Sequence, residues 1–126
     1  MKKSALKFGR LRAGEERAFG ALGIEFLVDG GRGAPVTAMR VVMKPNARHA
    51  PLHHAKTSEF FLVLGGSMRA EIDGRPRRFR AGDYAYLPPG AVHAFFAGRN
   101  GVEVLSVFSP ALDMKKPDIL YEDAAA

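Results

Sequence analysis

The sequence predicts an all-β fold of jelly-roll type, two packed sheets or a barrel. Three observations carry this prediction. Eight short strand-like runs fill most of the chain, turn signals separate them, and no stretch sustains the 3.6-residue period of an amphipathic helix. A run such as FFLVLG at 60–65 is apolar on both its odd and even faces, and one open sheet would leave one of those faces wet.

The expected strands are Gly23–Val28, Val36–Met43, Phe60–Leu64, Met68–Ile72, Arg77–Arg80, Tyr84–Leu87, Val92–Ala97 and Val102–Phe108. Breaks fall at DGGRGAP, KPNARHAP, GG, DGRP, AGD, PPG and GRNG, which supply the positive-φ and fixed-φ residues that tight turns require. In VTAMRVVM, alternation points Arg40 to water and Met39, Val41 and Met43 inward. In MRAEID, it gives Arg69, Glu71 and Asp73 the wet face and Met68, Ala70 and Ile72 the dry one, and Asp73-Gly74 suits a hairpin turn. The tail MKKPDILYEDAAA reads as a short strand or as an arm lying on the body or on a neighbour.

At 126 residues, 47% hydrophobic and 25% charged, the composition fits one globular domain spanning 1–126, with a barrel core over about 20–110 and terminal arms outside it. No apolar run approaches the length of a membrane helix, and no apolar segment follows the basic start MKKSALKFGRLRAGEER, so a cytoplasmic protein is expected. The absence of cysteine excludes disulfides, thiolate zinc sites and cysteine nucleophiles, so any metal site must use nitrogen and oxygen. The net charge of +6 concentrates in the first seventeen residues and in RPRRFR at 75–80. Gly74 and Pro76 place the second cluster at a turn, and no aromatic platform beyond Phe79 is interleaved with it; this reads as a solvated tip rather than a nucleic-acid face.

Two segments carry the chemistry, PLHHAKTSEFFLVLGG at 51–66 and GDYAYLPPGAVHAFFA at 82–97. They resemble the paired motifs of the cupin superfamily, commonly written G(X)5HXH(X)3,4E(X)6G and G(X)5PXG(X)2H(X)3N. Gly82, Pro88, Gly90 and His93 match the second at the required spacings, with Ala97 in place of the final Asn. Glu59 and Gly66 match the back half of the first. Its front half departs: one register gives Leu52 and His54 as the two histidine positions, the other His53 and Ala55.

The resemblance implies a cupin double-stranded β-helix, or jelly-roll barrel. It further implies a divalent transition metal (Fe, Mn, Ni, Cu or Zn), with His54, Glu59 and His93 as ligands and His53 a candidate fourth. In this family the motif Glu either ligates or serves as a base, which makes Glu59 the catalytic candidate. His53 and His54 cannot both reach one ion from a regular strand, because neighbouring side chains point to opposite faces. His49 is a further candidate for the missing ligand if the chain bends back. The alternative is a metal-free barrel in which His54, Glu59 and His93 form a hydrogen-bonded polar cluster.

Parity expects Phe95 to face inward with His93, and Phe61 with Glu59; with Met39 and Val41 they would line an apolar pocket or fill the core. Such a pocket ending in a metal favours a small aromatic or carboxylate substrate over a phosphosugar, for which arginines would line the cavity. Three functions are expected to compete: a metal-dependent, dioxygenase-like oxidoreductase; a non-catalytic ligand-binding or sensing cupin; and a metal-dependent isomerase or lyase with Glu59 as base. A homodimer is also expected, because single-domain cupins commonly dimerise and open sheet edges need covering, with the N-terminal segment through Leu27 as the contact region.

Overall fold

In the computed structural model, residues 6–30 and 33–122 are described. Among these residues, nine strands form one curled antiparallel sheet: β1 (Arg17–Phe19), β2 (Leu22–Val28), β3 (Thr37–Met43), β4 (Leu52–His54), β5 (Ser58–Ile72), β6 (Arg75–Arg80), β7 (Tyr84–Leu87), β8 (His93–Ser109) and β9 (Ile119–Tyr121). The chain thus has the all-β jelly-roll architecture expected. No described helix is long and apolar enough to cross a membrane.

β5 and β8 organise the fold. They pair antiparallel from Ser58↔Ser109 to Ile72↔His93, with register shifts at Val63/Gly65 and Gly66/Met68. The sequence divides each into two strands, because the glycines read as chain breaks. They instead act as bends within continuous strands, as bulges do. Gly66 has φ 71, and a Cβ there would lie 2.2 Å from the carbonyl oxygen of Gly101, so only glycine lets the two strands approach at the bend. The first half of β5 carries β7 on its other edge and the second half carries β6.

The inward positions of β3, β5 and β8 supply most of the core. Met39, Val41, Met43, Phe61, Val63, Met68, Ala70, Phe95, Ala97, Val104 and Phe108 are buried, as alternation requires. Ile72 is only half-buried, and the outward Arg69 and Glu71 pair with each other at 3.3 Å. Asp73 (φ 50) and Gly74 (φ 79) form the two-residue turn between the paired Ile72 and Arg75, so the hairpin signal in IDGRP is realised.

Arg40 departs from expectation. It does lie on the opposite face of β3 from the core, yet only 2% of its side chain is exposed. Glu25 sits directly across from it on β2, and its carboxylate meets Arg40 Nε at 2.8 Å; Glu103 on β8 meets Nη1 at 2.9 Å, and Glu16 meets Nη2 at 3.3 Å. Nη2 also donates to the carbonyl of Arg12, so the N-terminal arm closes over the guanidinium. Burial opposes the charge, but the bonds to Glu25 and Glu103 outweigh it and hold the guanidinium above its ordinary pKa. Single-strand parity assigns a face, whereas solvation of that face depends on what crosses it.

Three short strands, β1, β4 and β9, have no counterpart among the expected runs. β9 decides the alternatives left for the tail: it pairs antiparallel with β4, with Leu52↔Tyr121, His53↔Leu120 and His54↔Ile119 in register. β9 lies beyond the 20–110 span expected for the barrel, and its pairing with β4 fixes one wall of the site.

Candidate metal centre

β4, β5 and β8 each bring one polar side chain to the same place. Glu59 is the second residue of β5 and shares the inward face of Phe61 and Val63. His93 opens β8, directly after the PPG turn, where Gly90 has φ 89. His54 closes β4, and its carbonyl accepts the N–H of Gly90 at 2.8 Å, so the turn of the second motif is bonded to the histidine of the first. All three side chains are buried.

Glu59 Oε1 lies 3.4 Å from His93 Nε2 and 3.8 Å from His54 Nε2. The two imidazoles stack with centroids 5.9 Å apart and an interplanar angle of 23°. One ligand atom from each residue lies within 4.8 Å of the others.

Hydrogen bonding fixes which nitrogen each ring presents. A carbonyl can only accept, so His93 Nδ1, 3.0 Å from the oxygen of Ala91, carries a proton. His54 Nδ1 lies 3.4 Å from Asp118 Oδ1 and donates to that carboxylate. Both rings are thereby left with Nε2 facing Glu59. Burial disfavours charge on His93, but the hydrogen bond and the negative charge of Glu59 outweigh it and raise its pKa. The Glu59 carboxylate thus favours the protonated form of His93.

This donor set fits a divalent first-row cation. Two imidazoles with Nδ1–H engaged by oxygen acceptors keep Nε2 available for an ion, and a carboxylate adds the negative charge that a cation requires. Two histidines and one carboxylate leave several coordination positions for water and substrate.

The other candidate residues lie elsewhere. His53 is outside the cluster: it occupies the opposite face of β4 from His54, half-buried, and its Nδ1 pairs with Glu122. Leu52 shares the face of His54 and stands in register with His93. His49 packs edge-on against His93 and Phe95, with centroids at 6.2 and 5.0 Å. Its Nε2 accepts the N–H of Phe95 at 3.2 Å and its Nδ1 donates to the carbonyl of Ala50 at 2.8 Å, so both nitrogens are engaged in backbone bonds. Burial lowers its pKa, which favours the neutral ring.

Met39, Val41, Phe61 and Phe95 all belong to the buried core cluster. Phe95 contacts His93 (5.5 Å) and Phe61 (5.2 Å), and Phe108 contacts His54 (5.3 Å), so the polar trio rests on an aromatic floor. Tyr84 and Tyr86 are exposed and border a separate cleft of about 780 Å³ beside Arg75 and Arg77.

Sequence reasoning missed Asp118. Its Oδ2 accepts the N–H groups of Lys56 (2.7 Å) and Thr57 (2.9 Å), and its Oδ1 accepts the Thr57 hydroxyl at 3.1 Å as well as His54 Nδ1. Burial opposes its ionisation, but the bonds from Lys56 and Thr57 outweigh it and hold its pKa below the ordinary carboxylate value. No local motif marks this residue, because its partners lie about sixty positions upstream.

Comparison with known proteins agrees with this architecture. The family model described as Cupin domain matches residues 39–108. An uncharacterized protein of Aquifex aeolicus is 36% identical over 66 residues, covering 52% of this chain and 54% of its own length, so the chain spans about half of that relative. Dimethylsulfoniopropionate lyase DddW of Ruegeria pomeroyi is 31% identical over 102 residues, covering 80% of this chain and 67% of its own length. Among solved structures, KdgF from Halomonas sp. superposes with a TM-score of 0.71 at 22% identity, covering 80% of this chain and 89% of that one.

Proposed function

The chain belongs to the cupin-domain family, and we propose that it is a metal-dependent enzyme acting on a small organic molecule, with His54, Glu59 and His93 holding one divalent cation. The observation that carries this reading is the convergence of two Nε2 atoms and one carboxylate oxygen in a buried space, with both Nδ1 protons already committed to oxygen acceptors. A cation there would supply Lewis acidity toward a chelating substrate. Glu59, with two carboxylate oxygens, serves as ligand and as acceptor for a substrate proton. The aromatic floor of Phe95 and Phe108 keeps the polar trio away from bulk water and suits an apolar or aromatic portion of the ligand. Arg40 faces away from the barrel interior and is engaged with three glutamates, so it is not available to a phosphate.

Two reaction classes follow. The two-histidine, one-carboxylate set supports a dioxygenase-like oxidation, because it leaves room for two exogenous ligands. The similarity to dimethylsulfoniopropionate lyase over 80% of the chain supports proton abstraction and elimination instead, and we favour this second class. Dioxygen separates them: lyase turnover continues under anaerobic conditions, whereas oxidation stops.

The test begins with elemental analysis of untagged protein purified without chelators, for the parent and His93→Ala in parallel. Near-stoichiometric metal in the parent and little in the variant is the expected result. A parent that stays metal-free after exposure to several divalent ions refutes the enzyme reading and leaves a ligand-binding cupin with a polar cluster in its place.

A further inference from the structure

We infer that Asp118 is a positioning residue that sets the tautomer of His54, holding the proton on Nδ1 so that Nε2 stays open toward Glu59. The consequence for metal affinity rests on the metal-site reading above; the tautomer itself does not.

The two histidines of the site are oriented in different ways. His93 Nδ1 is held by the carbonyl of Ala91, two residues away, within the same turn. His54 depends on the opposite end of the chain. β9 pairs with β4 so that His54 stands opposite Ile119, and the N–H of Ala55 donates to the carbonyl of Asp118 at 3.0 Å. This backbone register delivers the Asp118 carboxylate to the outer nitrogen of the His54 ring.

The carboxylate itself is fixed on both oxygens. Oδ2 takes the backbone N–H groups of Lys56 and Thr57, and Oδ1 takes the Thr57 hydroxyl and His54 Nδ1. A carboxylate so held can only accept, so the ring proton is drawn to Nδ1. Outer carboxylates of this kind fix ring orientation and raise the basicity of the inner nitrogen. Half of the imidazole set is therefore assembled by the last described strand, although none of that strand's residues contributes a ligand.

Asp118→Asn separates the two roles of this side chain. An asparagine oxygen can still accept from the N–H groups of Lys56 and Thr57, which keeps the loop before β5 in place. Its amide NH2 then faces Thr57 Oγ1 and His54 Nδ1, and Nδ1 must become the acceptor. The proton moves to Nε2, where it blocks the position that an ion would use.

The measurement is ¹⁵N NMR of the imidazole nitrogens in metal-free protein, with His54 assigned by its loss in His54→Gln, alongside calorimetric titration with Zn²⁺. In the parent, His54 is expected as Nδ1–H. In Asp118→Asn it is expected as Nε2–H, with an unfolding midpoint close to that of the parent and Zn²⁺ affinity lowered about 10- to 100-fold.

An Nε2–H tautomer in the parent overturns the assignment without recourse to any variant. So does a variant that keeps Nδ1–H, or one that switches tautomer yet binds Zn²⁺ as the parent does. A tautomer switch in a protein whose parent binds no Zn²⁺ supports the role of Asp118 and counts against the metal site alone.

Discussion

Replacing Arg40 with methionine removes a buried cation while keeping an unbranched apolar chain on the outer face of β3. Three carboxylates lose their counter-ion. Glu25 and Glu16 are largely buried, with 14% and 18% of their side chains exposed, whereas Glu103 is 39% exposed and can rehydrate. A charge-assisted hydrogen bond of the Glu25 type contributes about 1.5–3 kcal/mol. The Glu103 contact resembles a surface pair at about 0.2–1 kcal/mol. Relief of the guanidinium's own desolvation offsets part of this loss, leaving a net destabilisation of about 2–3 kcal/mol. For a chain of this length that corresponds to a fall in Tm of about 6–15 °C. Urea unfolding followed by circular dichroism suits the measurement, since the chain has no tryptophan. Arg40→Met/Glu25→Gln should recover about 1 kcal/mol, because the most buried orphaned carboxylate is then gone. If Arg40→Met unfolds within about 0.5 kcal/mol of the parent, an amount ordinary for a neutral surface change, the cluster does not hold the arm to the sheet and the reasoning fails.

Gly66→Ala should destabilise the fold by more than 1 kcal/mol, roughly the cost of Ala at a positive-φ site plus displacement of the Gly101 carbonyl, and chemical denaturation of the variant measures it. The raised pKa of His93 implies a pH dependence in metal-free protein. Protonated His93 paired with Glu59 stabilises the fold fully below the ordinary histidine value of 6.5, and this contribution is lost as pH rises through the folded-state value. Urea midpoints collected across this range for the parent and His93→Gln should converge at high pH, and a parent advantage that grows with pH instead would contradict the pairing. Metal affinity should run the opposite way, strengthening with pH, because a bound ion must displace that proton; titration calorimetry at several pH values reads this directly.

Most of the architecture is legible because it rests on local pattern. Alternation in VTAMRVVM and MRAEID identifies the buried faces of β3 and the second half of β5, and the DG dipeptide identifies the hairpin turn from β5 to β6. Glu59 and His93 are legible from motif spacing, although the apolar runs that follow them show no clear two-residue period. The choice between His53 and His54 is not. β4 has three residues, too few to show a period, and its existence depends on pairing with β9 and with His93. Asp118 is invisible for the same reason, its only signal being a contact made across a strand pair that the tail alone does not announce. Arg40 fails differently, in that its face is read properly and its covering is not, because Glu16 and Arg12 belong to an arm without secondary structure.

The departure at Leu52 also becomes intelligible in the folded chain. Leu52 and His54 are two apart on β4 and so share a face, and Leu52 stands directly across from His93. The position where the family motif carries its first histidine therefore borders the trio with an apolar side chain. His49 does not restore the donor, because the N–H of Phe95 occupies its Nε2 and a carbonyl occupies its Nδ1. The site consequently offers two imidazoles and one carboxylate beside an apolar wall. Fewer protein donors would leave more of a cation's coordination to exogenous ligands, beside the apolar side chain of Leu52.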